Sequence, residues 1–503
     1  MFWYDHPIQI GIRKENNEVI YGLQGLAEAV KFEQQGETTK RSENLNCVLS
    51  VSVTHKALQG IAKEYLQEEF KNTKSIQHIN VYVFTEAETS QIIDEILIPA
   101  AKEYLKNIDP RLLHEIFGVD GEYSRHYSFL KAISVFWQVF IDPEIKGTFK
   151  IDLDQVFPQK ELTEESGASA FEHLTTPLWG AEGTDHQGNK IELGMIAGAL
   201  VNERDIDKSL FTPDVRFPPE EVQGDELLFF SPLPQALSTE AEMMTRYTDN
   251  NLNGKNQCTQ RIHVTGGTCG ILIDSLKKYR PFTPTFIGRA EDQAYLLSVL
   301  FKNPQENLRY VHKDGLIMRH DKEAFAGEAI RTAYLGKLIG DYARILWFTY
   351  YVRALPWDLE RIKDLIDPFT GCFVSAIPFT VVYLRLALKA AFFFMDSKKE
   401  ECQKGLELLK IGTKRLHEII QKINKEPNPL IEMYQREKHG WDIYYDILEH
   451  MKKGLKEGSA FSLELQKKAK LLVENCKIKL DNNYQEQPEK SNAPDHKKND
   501  AEQ

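Results

Sequence analysis

The segment GTFKIDLD, residues 147–154, is a short apolar strand pattern that runs directly into two carboxylates, Asp152 and Asp154. Two similar patterns precede it, CVLSVSV at 47–53 and INVYVF at 79–84, and helical stretches lie between them. β-Branched runs of this length, without polar alternation, are typical of strands buried on both faces. The rhythm of strand, helix and strand predicts an α/β fold with a parallel or mixed sheet and crossover helices.

The rest of the chain divides into segments of different composition. Residues 1–45 form a short N-terminal extension, where Asn16 and Asn17 offer turn chemistry for a hairpin between IQIGIRK and VIYGLQ. The sheet domain spans 46–325, and its part from about 155 to 260 is rich in Gly, Pro and acidic residues, which predicts loops and short strands. Residues 326–480 predict a mostly α-helical C-terminal domain, and 481–503 predict a disordered tail.

Charge and cysteine usage narrow the class of protein. The 503 residues include 74 acidic and 62 basic side chains, a formal net charge of −12, which argues against binding to nucleic-acid phosphates. The six cysteines are scattered without a CxxC pair, as expected in a reducing compartment. Because the N-terminus also lacks the pattern of an export signal, the sequence predicts a cytoplasmic protein.

One stretch, residues 369–395, is apolar enough to raise the question of a membrane span. Pro378, Arg385 and Lys389 interrupt it, and central cations are costly in hydrocarbon. The sequence therefore predicts a buried or amphipathic helix and no integral membrane span.

The carboxylates after the third strand are the strongest chemical signal. At the carboxyl edge of a sheet, Asp152 and Asp154 could address one hard cation, or divide between a cation and a ribose hydroxyl. The same spacing recurs at Asp205 and Asp207, but there it lies in the charged run NERDIDKS with no strand before it. We interpret the second copy as a solvated loop and the first as functional; the alternative for the first is an ordinary strand-ending turn.

Two further signals lie downstream. Glu291 and Asp292 open an apolar helical stretch, where a carboxylate could take a proton from an attacking hydroxyl, or could simply complement the helix dipole. Arg289 beside them could hold an anionic group. His320 follows the strand pattern LRYVHKDGLIMRH, and an imidazole can complete a cation site that carboxylates begin, although a lone histidine is more often structural.

These three signals, in this order on a chain of alternating strands and helices, resemble the GT-A nucleotide-sugar glycosyltransferases over residues 46–325. In that family the DxD carboxylates hold a divalent cation, Mn²⁺ or Mg²⁺, on the donor diphosphate, which implies Asp152 and Asp154 as ligands. Glu291 and Asp292 resemble the acidic pair of the inverting family-2 enzymes, whose second carboxylate is the base. His320 resembles the late metal ligand of the retaining mannosylglycerate synthase and glucosyl-3-phosphoglycerate synthase group, so the stereochemical outcome stays open. The resemblance also implies donor contacts by Thr54, His55, Glu86, Arg125, Asp152, Gly266, Gly267 and Arg289.

The implied function is metal-dependent transfer of a hexosyl group from a nucleotide-diphosphate donor to a hydroxyl acceptor. A first alternative is a sugar nucleotidyltransferase, which usually has a Gly-rich phosphate loop after its first strand; this chain reads SVTHKALQG there, with one glycine. A second is a non-catalytic sugar- or protein-binding module on the same scaffold, with the helices as its interaction surface. The helical domain also offers a surface for homo-oligomer formation.

Overall fold

The computed structural model describes residues 17–36, 44–53, 55–71, 76–105, 108–119, 123–184, 188–216, 243, 269–288, 291–299, 306–321, 334–355, 362, 374–425 and 428–479. The strands are β1 (Leu45–Ser50), β2 (Ile79–Phe84), β3 (Gly147–Lys150), β4 (Gln155–Val156), β5 (Glu182–Thr184), β6 (Lys190–Asn202), β7 (Cys269–Leu272) and β8 (Glu306–His320). Helices of the first half are α1 (Glu18–Gln35), α2 (Lys56–Lys71), α3 (Glu86–Ile92), α4 (Ile98–Tyr104), α5 (Arg111–Ile116), α6 (Tyr123–Phe140), α7 (Gln159–Glu161), α8 (Ala170–Leu174) and α9 (Glu203–Ile206). Those of the second half are α10 (Ile273–Tyr279), α11 (Glu291–Leu297), α12 (Tyr334–Ala354), α13 (Pro378–Phe394), α14 (Lys399–Ile423), α15 (Pro429–Lys456) and α16 (Ala460–Cys476).

The first two predicted strands, β1 and β2, pair in parallel with Leu45 opposite Ile79 and Ser50 opposite Phe84. Successive side chains of β2 point into two different cores. Val81 and Val83 pack with α1 and the long strands, whereas Tyr82 and Phe84 pack with α6 and the C-terminal helices. The prediction of strands buried on both faces is confirmed for β2.

The strand that carries the DxD pattern is confirmed as β3, but it does not continue the sheet of β1 and β2. In the part of the chain that the structure describes, β1 and β2 form a two-stranded sheet, and β3 belongs to a six-stranded mixed sheet. The order in this second sheet is β3-β7-β6-β8-β4, with β5 paired to β6. Among these described strands β6 and β8 pair in parallel, and the other pairs are antiparallel. The prediction of an α/β fold with a mixed sheet is confirmed, but β1, β2 and β3 do not share one sheet, because the partner of β3, Cys269–Leu272, is far downstream and leaves no local pattern.

The connection 151–154 shows that the six-stranded sheet is curved. It joins β3 to β4, which stand at opposite ends of the strand order. Four strand spacings span about 19 Å in a flat sheet, whereas the chain from Lys150 to Gln155 reaches about 17 Å when fully extended. The sheet must therefore curl so that its outer strands approach each other, and Asp152 and Asp154 lie on the link between them.

The expected hairpin in the N-terminal extension is wrong over its second arm, and its first arm lies outside the described residues. Residues 18–35 form α1, because Asn17 caps a helix instead of making a turn: its Oδ1 accepts hydrogen bonds from the amides of Val19 (3.1 Å) and Ile20 (3.4 Å). The face of α1 with Gly22 packs on the DxD link, so closely that a Cβ on Gly22 would lie 2.7 Å from the carbonyl oxygen of Leu153.

The region 155–260, which the structure describes at 155–184, 188–216 and 243, contains the expected short strands β4 and β5 but departs from the expectation at one long strand. It contains β6, a 13-residue strand that is almost wholly buried and lies between β7 and β8 at the middle of the sheet. Gly194 and Gly198 made this segment resemble a loop, but in β6 they allow side chains of neighbouring elements to approach the strand closely. A Cβ on Gly194 would lie 2.7 Å from Leu308 Cδ1, and one on Gly198 would lie 2.9 Å from Leu316 Cγ.

The mostly helical C-terminal region is confirmed by α12 to α16. These helices share one core with α6, α10 and α11, so the helical region packs directly on the elements that carry the predicted acidic pair. No helix in the described residues is long and apolar enough to cross a membrane. The apolar stretch 369–395 contains α13, which the sequence predicted as a buried or amphipathic helix.

Candidate functional site

The end of β3 pairs a buried cation with the first DxD carboxylate. Lys150 Nζ lies 2.6 Å from Asp152 Oδ1, and Gln155 Nε2 donates to Asp152 Oδ2 at 3.1 Å. The Asp152 side chain is 39% exposed, yet partial burial raises its pKa; Lys150 opposes this shift and Asp154 adds to it. Burial alone would lower the pKa of Lys150, but the charges of Asp152 and Asp292 outweigh it and raise that pKa.

The second DxD carboxylate points to the other outer strand. Register pairing of β4 with β8 places Gln155 opposite His320, and His320 Nε2 lies 3.3 Å from Asp154 Oδ2. Both side chains are largely buried, at 7% and 12% exposure. The backbone amide of Asp321 also donates to the carbonyl of Asp154 at 2.9 Å. The structure therefore brings together Asp154 and His320, which are far apart in the sequence and were both predicted as ligands.

Asp292, the predicted base, lies in the first turn of α11 and is 6% exposed. Its Oδ1 is buried and has no hydrogen-bond partner among the described residues. Burial raises the pKa of Asp292 to about 7; Lys150 opposes this shift, and the neighbouring charge of Glu291 adds to it. A buried carboxylate with a free oxygen and a pKa near neutrality is equipped to accept a proton.

A second buried lysine, Lys131, interacts electrostatically with Asp292 and was not predicted from the sequence. It is 1% exposed; its Nζ lies 3.3 Å from the centroid of the Tyr127 ring and 3.5 Å from Cys269 Sγ. Burial lowers the pKa of Lys131, while the charges of Cys269 and Asp292 act in the opposite direction. One signal in the sequence could have revealed it, since Lys131 interrupts the apolar run FLKAISVFW of α6.

The carboxyl ends of β1 and β2 form a second polar region. Glu86 Oε1 accepts hydrogen bonds from the amide of Val53 at 2.7 Å and from Ser52 Oγ at 3.2 Å. Its Oε2 is buried and has no hydrogen-bond partner within the part of the chain that the structure describes. Ser50 Oγ lies 2.5 Å from His126 Nδ1, and burial lowers the pKa of His126 to about 4, so the imidazole is neutral at pH 7.

Helix α6 connects the two polar regions. His126 contacts Ser50 at the end of β1. Further along α6, Tyr127 and Lys131 lie close to each other, and Lys131 is within electrostatic range of Asp292. The carboxyl end of parallel strands is where α/β proteins usually bind ligands. We therefore treat three groups as parts of one candidate site. They are Ser50 with His126 and Glu86 at the ends of β1 and β2, Lys150 with Asp152 and Asp292, and Asp154 with His320.

The remaining predicted donor contacts are less informative. His55 lies just after β1 and is exposed. Arg125 donates to the backbone carbonyls of His114 and Phe117, so its guanidinium holds the end of α5. The other four predicted residues lie outside the described residues: Thr54, Gly266, Gly267 and Arg289.

Side chains of the C-terminal helices hold α11 and the loop before it. Glu437 of α15 accepts hydrogen bonds from the amide of Thr285 at 2.9 Å and from its hydroxyl at 2.5 Å. Tyr351 of α12 donates to the carbonyl of Ala294 at 2.8 Å. Thr283 Oγ1 donates to the carbonyl of Glu291, also at 2.8 Å. The position of Asp292 therefore depends on Tyr351 and Glu437, which lie 59 and 145 positions downstream.

Two of the three predicted metal ligands are close enough together to bind one divalent cation. Two adjacent ligands at about 2.1 Å from one ion lie about 3.0 Å apart, close to the 3.3 Å between Asp154 and His320. Asp152, the third predicted ligand, is paired with Lys150 instead. Within the described ranges, no three His, Cys, Asp or Glu side chains lie close enough to hold a metal ion. The protein thus offers two adjacent ligands, which suits a cation that arrives with substrate phosphates.

The second DxD copy differs from the solvated loop that the sequence predicted. Asp205 belongs to the short helix α9 and is 8% exposed, whereas Asp207 is exposed. Asp205 Oδ1 lies 2.7 Å from Lys208 Nζ, and this hydrogen bond lowers the pKa of Asp205. The expectation is wrong for Asp205 because its neighbours compensate its charge locally and allow its burial.

Comparisons with protein-family models, with curated proteins and with solved structures each found no match to the chain.

Proposed function

We propose that this protein is a glycosyltransferase of the GT-A type, which moves a hexosyl group from a nucleotide-diphosphate donor to an acceptor hydroxyl. The observation that carries the proposal is the environment of Asp292. This buried carboxylate, with a free oxygen and a pKa near 7, lies within electrostatic range of Lys150 and Asp152 at the end of β3. Segments 147–154 and 291–292 were singled out separately in the sequence, and they meet in the fold.

Asp292 acts as the general base in this proposal. Its free Oδ1 accepts the proton of the acceptor hydroxyl as that oxygen attacks the anomeric carbon. Lys131 and Lys150 stabilise the carboxylate and keep its pKa from rising further. A pKa of about 7 leaves the group about half ionised at neutral pH and still basic enough to take a proton.

The donor is held at the other end of the site. Glu86 Oε2 and the Ser50–His126 pair, at the carboxyl ends of β1 and β2, are placed to accept and donate hydrogen bonds to the nucleoside. Asp154 and His320 would hold Mn²⁺ or Mg²⁺ on the diphosphate. When bound, the cation supplies positive charge to the leaving group.

The test is a panel of nucleotide sugars, each incubated with the protein and Mn²⁺, with release of nucleoside diphosphate as the readout. We expect release from one donor class, and loss of release in Asp292→Asn. Binding of a nucleotide sugar without any release would favour the non-catalytic module. Pyrophosphate release from a nucleoside triphosphate and a sugar phosphate would favour the nucleotidyltransferase.

A further inference from the structure

Helix α13 exposes an apolar stripe along its outer face. The exposed fractions are 44% for Leu384, 57% for Leu388, 67% for Phe392 and 85% for Met395. These positions are three or four residues apart and therefore lie on one side of the helix. The opposite side is buried against the helical core through Val382, Leu386, Ala390 and Phe393. Monomeric proteins seldom expose a contiguous stripe of large apolar side chains.

The stripe has two cations at its edge and no acidic residue. From Pro378 to Phe394 the helix has no acidic residue, and its cations are Arg385 and Lys389. The Arg385 guanidinium lies over the Tyr342 ring at 6.0 Å, and Lys389 Nζ lies 5.2 Å from the centroid of Phe392. Helices that rest on membrane surfaces carry lysines and arginines along the edge of the apolar face. Arg385 and Lys389 instead lie over aromatic rings of this chain, which favours an apolar protein partner.

The stripe is complementary to itself in the antiparallel direction. When two copies of α13 cross antiparallel with a two-fold axis between residues 387 and 388, facing residue numbers add up to 775. Leu384 then faces Ala391, Leu388 faces Ala387, and Met395 faces Thr380. Both alanines are exposed. Leu384, Leu388 and Met395 therefore meet small residues, whereas Phe392 faces Tyr383 at the edge of the contact. Large side chains that meet small ones near a two-fold axis let two helices pack closely in a symmetric interface.

The area is sufficient for a dimer. With about 200 Å² for a fully exposed large apolar side chain, the six exposed large apolar side chains along 377–395 correspond to about 700 Å² per copy, or about 1,400 Å² in a symmetric pair. This value reaches the lower limit of stable, specific interfaces.

We propose that α13 is the two-fold interface of a homodimer, in which it packs antiparallel against α13 of a second copy. The proposal is independent of the catalytic assignment, because none of the stripe residues belongs to the candidate site. It names the register as well as the surface, so both can be tested.

The first test is sedimentation equilibrium of the full chain at micromolar concentrations. We expect the wild-type chain to have twice the monomer mass, and Leu388→Glu to weaken association at least about 100-fold, because a symmetric interface would bury two unpaired carboxylates. The matched control is Leu471→Glu on α16, where Leu471 is 64% exposed on another surface. Circular dichroism of each variant shows whether it is folded.

The second test addresses the register. Leu384→Lys and Ala391→Glu should each weaken the dimer, and the double variant should recover at least tenfold in association, because the opposite charges then face each other across the axis. A monomeric wild-type chain, or a dimer that Leu388→Glu leaves intact, would overturn the proposal. Failure of the double variant to recover would overturn the register. If a monomeric wild-type chain binds phosphatidylserine vesicles and Leu388→Glu does not, the stripe is a membrane-binding surface instead.

Discussion

The two DxD segments have the same spacing of carboxylates but opposite electrostatic environments. In Asp205–Asp207, the buried carboxylate is matched by Lys208 at 2.7 Å and its pKa is lowered. In Asp152–Asp154, the carboxylates point to different strands, and their cluster includes Asp292 with an unpartnered oxygen and a raised pKa. The comparison teaches that spacing alone identifies both segments, whereas incomplete charge compensation makes only the cluster at Asp152–Asp154 a candidate for chemistry.

The largest expected effect separates the two clusters by turnover. Asp292→Asn removes the proposed proton acceptor with little change in shape, so we expect turnover to fall about 10³-fold while donor affinity changes little. Steady-state release of nucleoside diphosphate and calorimetric donor binding measure the two quantities. The control is Asp207→Asn in the second copy, an exposed position where turnover should be unchanged. Full turnover in Asp292→Asn would remove this residue from the mechanism.

The next effect concerns cation-dependent binding. Asp154→Ala or His320→Ala should weaken Mn²⁺-dependent binding of a nucleoside diphosphate at least about tenfold, because each removes one of two adjacent ligands. Asp205→Ala, a change of equal size in the second copy, should leave this binding unchanged. Titration calorimetry with and without Mn²⁺ distinguishes the variants. Equal binding by all three would show that neither copy holds the cation.

The contributions of Asp292 and Asp205 to the free energy of unfolding should change with pH in opposite directions. The folded-state pKa of Asp292, about 7, lies above the usual value of 3.8, so the folded chain keeps a proton that the unfolded chain has lost. Relative to Asp292→Asn, the wild-type chain should therefore lose free energy of unfolding between pH 4 and 7, by at most about 1.4 kcal/mol per pH unit.

Asp205 provides the opposite case. Its pKa is lowered, so its stabilising contribution is present at neutral pH and is lost as the pH falls through the folded-state value. Urea unfolding of wild type, Asp292→Asn and Asp205→Asn from about pH 2 to about pH 8 measures both differences, because the contribution of Asp205 is lost below the usual carboxyl pKa of 3.8 and that of Asp292 changes above it. Parallel curves for the two variants would contradict the contrast between the clusters.

The smallest expected effect tests the contact between α1 and residues 151–154, which join β3 to β4. Gly22→Ala places a methyl group against the Leu153 carbonyl, so we expect a loss of about 1–2 kcal/mol in the free energy of unfolding. The matched control is Gly60→Ala in α2, where the added Cβ meets no atom within 4 Å. That change should stabilise the protein by about 0.5–1 kcal/mol through helix propensity. Equal shifts in both variants would show that the link tolerates displacement.

Local patterns predicted the elements better than their partners. β1, β2, β3 and β8 were predicted because each is a β-branched or apolar run, and the opening of α11 was predicted from Glu291 and Asp292. β6 was missed because Gly194 and Gly198, required by close neighbours, imitate a loop. The α1 helix was missed because an asparagine such as Asn17 suits a turn and a helix cap equally well.

In the candidate site, too, some contacts were predicted from the sequence and others were not. The meeting of Asp154 with His320 was expected, but the pairing of Asp152 with Lys150 and the buried Lys131 were not. Burial of a lysine is decided by side chains from several elements, here Tyr127 of α6 and Cys269 of β7. Those contacts depend on tertiary packing, which no single stretch of sequence encodes.

The hydrogen bonds from α12 and α15 to α11 have a consequence for synthesis on the ribosome. Tyr351 and Glu437 anchor the helix and loop around Asp292, yet they leave the exit tunnel long after the strands of the sheet. Domains generally fold as units, in the order of their emergence. A nascent chain released before Glu437 emerges would hold a sheet beside an unanchored Asp292, the proposed base, so the proposed transfer activity should appear in ribosome-stalled chains only once α15 is exposed.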